Sequence, residues 1–320
     1  MGVGAVLYRS TVPIMVPDRV LSSAVERFGV DPASVRLIPR DGSPDGAVHA
    51  CRRDETDAFL KIKPVAPDGL PREHDVIELQ TTLRGVVRVL TYLPSRTGDL
   101  VEGLDGHVAT LTQRASGRHV TEHDFAPPFF RAWAGTLGRI HRTTRGWSGG
   151  AHLRDPRAER EFFLGLCRDD AMAEAWRDLG DRLEALPTDR DGYGVVHNDL
   201  HAGNLLIDPD GGLTVLDFDV AGWHWYACDL ATVLAHQLWH LRDRPGDARG
   251  FADVVVDAYL AEYPLPRTRL ADLPLFVRYR LALLVLAMQA DLGTTAGPEW
   301  LRDVRAWVLA DEVLPGVPTA

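Results

Sequence analysis

The feature that most limits how this chain can fold is an irregular stretch inside a helical region. From about residue 127 onward, apolar residues recur at helical spacing in one segment after another. The run GVVHNDLHAGNLLIDPDGGLTVLDFD, from Gly194 to Asp219, interrupts this pattern with strand-like and turn-like segments. Binding and catalytic residues concentrate in irregular segments of this kind, because a regular scaffold holds them in place. We therefore expect a functional site there.

The interrupting run contains a predicted β-hairpin. Its strand-like segments LLI (205–207) and TVL (214–216) flank DPDGG, whose residues favour a turn. In this register Asn204 falls opposite Asp217, and opposed Cα atoms in a ladder lie about 4.5–5.5 Å apart. Amide and carboxylate oxygens are hard ligands of the kind that suits Mg²⁺. Asp199 precedes the hairpin, so the sequence predicts two metal ligands with a further carboxylate beside them.

An isolated Asp or Asn near a turn is usually a turn or capping residue, but the complete spacing is more specific. It reads His197-x-Asp199-x4-Asn204, a hairpin, and then Asp217-Phe218-Asp219. The motifs HNDLHAGN and LDFD resemble the catalytic loop and metal-binding motif of the aminoglycoside phosphotransferase and choline kinase-like superfamily, relatives of the protein kinases. This resemblance implies transfer of the γ-phosphate of ATP, or alternatively GTP, to a hydroxyl group.

The resemblance also implies a fold, an α+β protein kinase-like architecture with two lobes. We expect a small antiparallel-sheet N-lobe that binds nucleotide over residues 1–115. A mainly helical C-lobe with the catalytic and substrate-binding residues is expected over residues 116–320. The sequence pattern agrees, because short strand-like segments dominate before Pro127 and helical stripes dominate after it.

Residue roles follow from the matching motif positions. Asp199 takes the position of the catalytic base, and Asn204 and Asp217 take the positions of the Mg²⁺ ligands. Asp219 stands where protein kinases have glycine. It is expected to assist a second metal ion, with a solvent-facing or capping role as the alternative.

Two further residues are expected to support the site. His197 and His201 form a His-x3-His pair that suggests zinc, but Gly203 argues against a continuous helix through both, and no acidic base occupies the HExxH position. We therefore expect His197 to be a structural residue under the metal motif. Asp229 is placed to N-cap the next helix, and the superfamily implies that an Asp there braces the catalytic loop.

Lysine occurs in this chain only at Lys61 and Lys63, within the strand-like segment AFLKIKP. In a strand, both side chains share one face with Phe59. FLKI resembles the lysine strand of the superfamily, which places Lys61 on the nucleotide phosphates, whereas Lys63 is expected to be an ordinary edge-strand lysine. A helix should start near Pro71 with Glu73 on its inward face, and we expect Glu73 to pair with Lys61.

The remaining nucleotide contacts are less specific. The chain has no GxGxxG loop, and RDGSPDGAV is expected to place Ser43 or the backbone N–H of Gly46 over the phosphates. LTQRASG is expected to form the adenine-binding hinge around Gln113 to Ala115.

Composition narrows the classes of partner. The formal net charge of −10 disfavours nucleic acid, because binding to phosphate backbones needs clustered positive charge, and it suits a cationic acceptor. No membrane span is expected, because the longest apolar run, Leu281 to Met288, is far shorter than the roughly 20 residues required. Three scattered cysteines predict reduced thiols and no zinc site. We expect a cytoplasmic protein.

The sequence therefore predicts an ATP- and Mg²⁺-dependent O-phosphotransferase, with an aminoglycoside-like or other antibiotic as the leading acceptor and antibiotic resistance as its role. A metabolic kinase for an amino alcohol, a homoserine-like compound or a sugar is the main alternative, and a protein Ser/Thr kinase is a lesser one. A catalytically inactive nucleotide-binding protein and a metal-dependent phosphohydrolase belong to other classes.

Overall fold

The computed structural model describes residues 16–38, 46–66, 69–295 and 297–318. Their strands, in chain order, are β1 (Arg36–Leu37), β2 (Ala47–Arg53), β3 (Thr56–Pro64), β4 (Arg88–Val89), β5 (Glu102–Leu104), β6 (His107–Gln113), β7 (Arg118–His119), β8 (Tyr193–Val196), β9 (Leu205–Ile207), β10 (Leu213–Val215) and β11 (Gly222–Trp225). Their α-helices are α1 (Asp18–Phe28), α2 (Gly69–Leu83), α3 (Pro127–Thr144), α4 (Pro156–Leu166), α5 (Asp170–Glu184), α6 (Tyr226–Leu241), α7 (Pro245–Glu262), α8 (Arg267–Leu270), α9 (Leu273–Leu292) and α10 (Glu299–Leu309).

The N-lobe is built on an antiparallel sheet with the strand order β1-β2-β3-β6-β5. Alternation along β3 buries Leu60 and Ile62 against α1, where Ala24 and Phe28 are also buried. Phe59, Lys61 and Lys63 share the opposite face of the strand. The expectation that Lys63 lies on an exposed edge strand is wrong, because β3 is paired on both sides and the lysine is 8% exposed.

Helix α2 follows β3, as the sequence predicted. Val76 and Leu83 pack into the large core that extends into the C-lobe, whereas Ile77 joins a smaller cluster beneath β6. Glu73 is buried, as predicted for the inward face of the helix, and Glu78 on the other face is exposed. The helix thereby brings a carboxylate to the face of β3 that carries the lysines.

A second sheet, with the order β4-β10-β9-β7, connects the lobes. The segment VRVLTYLP contributes only Arg88–Val89 to a named strand, and this strand pairs in parallel with β10 of the hairpin. Tyr92 forms an isolated bridge to Thr112 of β6. The chain then passes from β6 to β7, which pairs with β9. The segment between Gln113 and Arg118 is thus a crossing point between the two sheets.

The C-lobe core is helical. The predicted stripes on α3, α5, α6, α7, α9 and α10 face inward, with Trp133, Trp176 and Tyr259 among their buried side chains. Helix α9 is long and apolar enough to span a membrane, but 78% of that window is buried inside the protein. It also carries buried Arg278 and Arg280, so its apolar sequence is that of a core helix. The expected architecture, a small sheet lobe followed by a helical lobe, is confirmed.

Candidate functional site

The loop between β8 and β9 is held from below by Asp229. Its carboxylate is buried and accepts hydrogen bonds from the backbone N–H groups of His197 (2.9 Å) and Asn198 (2.7 Å) and from His141 Nε2 (3.1 Å). Burial opposes ionisation of Asp229, but the hydrogen bond from His141 and the neighbouring positive charges outweigh it, and the pKa is lowered. The N-cap prediction is wrong, because Trp225 is the N-cap of α6 and Asp229 lies inside the first turn.

His197 lies between the loop and the second motif. Its Nε2 donates to the carbonyl oxygen of Leu216 (2.8 Å), its Nδ1 accepts from the backbone N–H of Asp199, and its ring packs against Phe218. Both ring nitrogens are thus engaged, so zinc binding through His197 would break existing bonds. His201 caps the following 3₁₀ turn by accepting from the Gly203 N–H. Among the described residues, no cluster of three or more His, Cys, Asp or Glu side chains could hold a metal ion.

Asn198 has a left-handed backbone, with φ of 66°. Asn tolerates this region better than other non-glycine residues. Its side-chain amide is held at both ends by buried or half-buried charges: Nδ2 donates to Glu159 Oε2 (2.5 Å), and Oδ1 accepts from Arg280 (3.2 Å). Glu159 also accepts from Tyr279 (2.6 Å). The sequence analysis missed this clamp, because Glu159 on α4 and Arg280 on α9 are distant in the chain and carry no motif.

The structure places Asp199 directly beside Asn204. The amide Nδ2 of Asn204 donates to the carbonyl oxygen (2.9 Å) and to Oδ2 (3.2 Å) of Asp199. Arg280 lies 3.7 Å from Asp199 Oδ1, and His201 Nε2 lies 3.6 Å from Oδ2. Because the nitrogen of the Asn204 amide is committed to Asp199, its carbonyl oxygen is the atom suited to a metal ion.

The predicted hairpin register is wrong by one residue. Strand β10 covers Leu213–Val215, with Leu205 opposite Val215, so Asn204 aligns with Leu216, whose N–H donates to its carbonyl oxygen (2.9 Å). Asp217 comes one residue later, where φ of 57° places it in the left-handed region. This turn replaces the predicted strand pairing. Strained backbone of this kind is often retained at functional sites.

Lys61 bridges from β3 to the second motif. Its ammonium lies 3.3 Å from Asp217 Oδ1 and 2.5 Å from Asp219 Oδ2. The fold therefore brings the predicted lysine and the predicted metal motif together, although they lie more than 150 residues apart in the chain.

Lys63, which was expected to have no role, reaches the same cluster. Its ammonium lies 2.7 Å from Glu73 Oε2 and 3.3 Å from Asp219 Oδ1. The expected pairing of Glu73 with Lys61 is therefore corrected: the ion pair of Glu73 is with Lys63, the next lysine on the same face of β3. Arg72 strengthens the junction by contacting Glu73 and by donating to the carbonyl oxygen of Asp219.

Asp219 anchors both lysines, one on each carboxylate oxygen. Burial would raise its pKa, but the charges of Lys61 and then Lys63 outweigh burial and hold the pKa below its usual value. A role for Asp219 as a metal ligand requires at least one lysine to move, so this role stays a prediction.

The remaining nucleotide contacts lie at the edge of the N-lobe sheet. Ser43 falls outside the described residues. Gly46 packs so closely on Ile62 and Lys63 that a Cβ would clash with both, so the predicted phosphate loop enters β2 beside the lysines. The N–H of Gln113 donates to the carbonyl oxygen of Thr91. Ala115 follows in the crossing segment, and the adenine-binding hinge around Gln113 to Ala115 stays a prediction.

Comparison with known proteins identifies the family. A model of the phosphotransferase enzyme family, APH, matches residues 40–271, more than half of the chain. The chain belongs to this family. The expected activity class is confirmed as well: the protein is a kinase-type phosphotransferase that uses a hydroxyl group of a small molecule as acceptor.

Individual relatives extend over nearly the whole chain. The amicoumacin kinase of Bacillus subtilis (strain 168) is 27% identical over 311 residues, covering 92% of this chain and 91% of that protein. A solved complex of the amicoumacin kinase hAmiN with AMP-PNP, Ca²⁺ and Ami superimposes with a TM-score of 0.79 at 25% identity, covering 94% of this chain and 95% of the other. A microcompartment-associated aminopropanol kinase, at 21% identity, has a TM-score of 0.71 and covers 91% and 94%. These likenesses confirm the predicted kinase-like fold.

Proposed function

We propose that this protein transfers the γ-phosphate of ATP to a hydroxyl group of an antibiotic-like small molecule, with amicoumacin as the first acceptor to test. The observation that carries the proposal is the similarity to the amicoumacin kinase of Bacillus subtilis, which covers 92% of this chain and 91% of that protein. The placement of Asp199, Asn204 and Asp217 around one cleft supports the same chemistry.

Asp199 is the proposed catalytic base. The transition state of phosphoryl transfer is loose, so the protein mainly aligns the acceptor hydroxyl and screens charge. Asp199 orients that hydroxyl and accepts its proton late in the transfer. Arg280 and Asn204 contact its carboxylate from two sides, which limits the rotation of the side chain.

Asn204 and Asp217 are the proposed ligands of Mg²⁺. Their carbonyl and carboxylate oxygens form a hard donor set, and the hydrogen bond from Asn204 to Asp199 fixes which end of the amide is available. Mg²⁺ at this position neutralises negative charge on the triphosphate. The relative hAmiN was solved with Ca²⁺ and AMP-PNP, which supports a nucleotide and a divalent cation in this cleft.

Lys61 is the proposed phosphate ligand. A compact ammonium on a flexible stem can exchange a carboxylate partner for a phosphate oxygen, which a planar guanidinium does not reproduce. Lys63 and Glu73 form the more buried pair, with side chains about one tenth exposed or less, and hold Asp219 and α2 in place. In this proposal Lys61 binds phosphate, whereas Lys63 positions the N-lobe helix α2.

An assay with an acceptor panel tests the function. Purified protein with ATP and Mg²⁺ is incubated with amicoumacin, kanamycin, spectinomycin, choline, homoserine, galactose and a series of 2-hydroxyamines, and ADP and the phosphorylated product are measured. We expect acceptor-dependent ADP with amicoumacin. Asp199→Asn should lower turnover about 10²- to 10⁴-fold while ATP still binds.

The same assay separates the rival functions. Phosphorylation of an amino alcohol or sugar in preference to amicoumacin indicates a metabolic kinase. Phosphate release without any acceptor indicates a phosphohydrolase, and ATP binding without turnover on any compound indicates an inactive nucleotide-binding protein. Each of these results contradicts the proposal. A cationic acceptor and the exclusion of nucleic acid remain proposals from the charge of the chain, and a cytoplasmic location remains a proposal from the sequence pattern.

A further inference from the structure

A small cavity lies between α6 and α9, next to the proposed catalytic base. Its volume is about 30 Å³, more than the roughly 10–15 Å³ that one water molecule needs. Asp199 and His201 of the catalytic loop line it, so a molecule with a hydroxyl at Asp199 has direct access to it.

One face of α9 forms most of the wall. Arg280 is followed at helical spacing by residues that line the cavity: Leu283, Leu284, Ala287 and Met288. Eight residues of helix rise by about 12 Å. At one end of this wall Arg280 lies beside Asp199. Within about two turns of the helix, the lining side chains become apolar.

Helix α6 contributes the facing wall with Thr232, Ala235 and His236. Burial lowers the pKa of His236 to about 3, so this imidazole is neutral at physiological pH. Among the described residues that line the cavity, Asp199 alone carries a carboxylate, and Arg280 lies beside it. A second ammonium group on the acceptor would find no free negative charge here, whereas an alkyl group would meet matching apolar surface.

We propose that this cavity is the acceptor-specificity pocket and that it binds a small uncharged alkyl substituent, about the size of a methyl group, carried close to the phosphorylated hydroxyl. The proposal rests on the kinase function proposed above and deepens it. It predicts an acceptor that is amphipathic at the reacting end, with any cationic groups directed away from α9. A polycationic aminoglycoside with charges on both sides of its hydroxyl fits this pocket poorly.

Substitutions that change the cavity volume test the proposal through turnover. Ala287→Leu fills the cavity, whereas Ala290→Leu adds the same side chain on the same helix outside the lining and serves as the matched control. With the acceptor found in the panel, we expect Ala287→Leu to lower kcat/KM for that acceptor at least about 10-fold, the scale of one methylene in a tight pocket. KM for ATP should stay within about twofold.

A second variant guards against a folding defect. Leu283→Ala enlarges the cavity, and among 2-aminoethanol, 1-aminopropan-2-ol and 1-amino-4-methylpentan-2-ol it should shift the preference toward the largest alkyl group. Equal acceptor kcat/KM in Ala287→Leu, Ala290→Leu and the unmodified protein, each with an unchanged melting temperature, overturns the proposal.

Binding to the cavity can be followed without turnover. Met288 lines the cavity and Met172 is buried elsewhere in the C-lobe core, so ¹³C-methyl methionine spectra report on the cavity and provide an internal control. The chain has four methionines, and Met288→Leu assigns the signal. With AMP-PNP present, titration of the Met288 signal should give a Kd for 1-aminopropan-2-ol about 3- to 4-fold lower than for 2-aminoethanol, the effect of one buried methyl group, and the Met172 signal should not move.

The two arms separate failure of the pocket from failure of the function. If no acceptor is phosphorylated but Met288 responds selectively to the alkyl compound, the pocket stands and the kinase proposal falls. The opposite result is an acceptor that is phosphorylated while the Met288 signal does not distinguish the alkyl compounds and Ala287→Leu leaves kcat/KM unchanged. In that case the kinase proposal stands and the pocket proposal is wrong.

Discussion

The two sides of the cleft are held together by different kinds of contact. On the C-lobe side, two backbone N–H groups of the catalytic loop, those of His197 and Asn198, donate hydrogen bonds to the carboxylate of Asp229. On the N-lobe side, Lys61 and Lys63 of β3 reach the second motif through side-chain ion pairs to Asp217 and Asp219. The first arrangement fixes a conformation, whereas the second can exchange partners when an anion enters.

This difference indicates which parts of the site are preformed. A buried backbone N–H group that loses its acceptor is costly to leave unpaired, so the loop is expected to keep its shape with or without nucleotide. An ammonium on a flexible stem can leave a carboxylate for a phosphate oxygen at little cost. Substitutions on the loop side should therefore affect folding and turnover together, and Lys61 should affect nucleotide use alone.

The largest effect is expected at Asp217. Asp217→Ala removes a proposed metal ligand and leaves the triphosphate charge without its counterion, so kcat should fall at least about 10³-fold. Asp210→Asn, an exposed carboxylate on the turn of the same hairpin, is the control and should retain activity. Steady-state kinetics with the acceptor identified in the panel give the measurement. Activity within about tenfold of the unmodified protein in Asp217→Ala would remove Asp217 from the metal site.

The second effect is a loss of stability when the carboxylate of Asp229, which holds the catalytic loop, is replaced. Asp229→Asn cannot accept from both backbone N–H groups and from His141, and it leaves buried donors unpaired, so we expect a loss of about 3 kcal/mol in the free energy of unfolding. Urea denaturation measures it. Asp219→Asn, on the ion-paired side, should cost less in stability. An equal loss in both variants would contradict the contrast between the two sides.

Substitutions of the two lysines should affect ATP use and thermal stability differently. Lys61→Met is expected to lower kcat/KM for ATP about 10²-fold with little change in melting temperature, since the side chains of Asp217 and Asp219 are 28% and 20% exposed and Asp219 keeps its ion pair with Lys63. Lys61→Arg should recover little of this loss. Lys63→Met removes one of the two cations that contact Glu73, which is 5% exposed, and should lower the melting temperature as well. If Lys63→Met weakens ATP use without destabilising the protein, the roles are reversed.

A smaller effect should appear as pH dependence in the C-lobe. Burial lowers the pKa of His224 from 6.5 to about 4. The unfolded chain therefore takes up a proton that the folded chain refuses, so the contribution of His224 to stability is complete above pH 6.5 and is lost as the pH falls toward 4. Between pH 6.5 and 5 this amounts to about 2 kcal/mol.

Urea denaturation at pH 7 and pH 5 measures this dependence. His224→Gln should show a shallower loss of stability on acidification, and His152→Gln, an exposed histidine, is the matched control. If the unmodified protein and both variants lose the same stability on acidification, His224 does not contribute to the loss of stability at low pH.

Much of the site could be predicted because its residues are close in sequence. Asp199, Asn204 and Asp217 lie within one irregular run, and the helical stripes of the C-lobe follow from local periodicity. The register failed by one residue because the turn closes with a hydrogen bond from the Asp208 N–H to the Gly212 carbonyl oxygen, which sets Ile207 opposite Leu213. The hairpin geometry was thus decided by turn chemistry that strand propensity does not encode.

Contacts between distant segments were beyond the sequence pattern. Lys63 was taken as an edge residue because β6, which covers that side of β3, arrives far later in the chain. The clamp on Asn198 joins α4 and α9, and no local spacing connects Glu159 with Arg280. Asp229 was given a capping role because it lies near a helix start, but the helix begins at Tyr226. Tertiary packing decided each of these positions.

The central claim is that Asn204 and Asp217 share one divalent ion next to Asp199. A crystal structure with AMP-PNP and Mn²⁺ in place of Mg²⁺, analysed by the anomalous signal of manganese, tests it most directly. The account predicts one manganese peak within about 2.0–2.4 Å of both Asn204 Oδ1 and a carboxylate oxygen of Asp217. It also predicts that Lys61 has moved from Asp219 to a phosphate oxygen. A manganese ion bound away from either residue, with Lys61 still on Asp219, would contradict it.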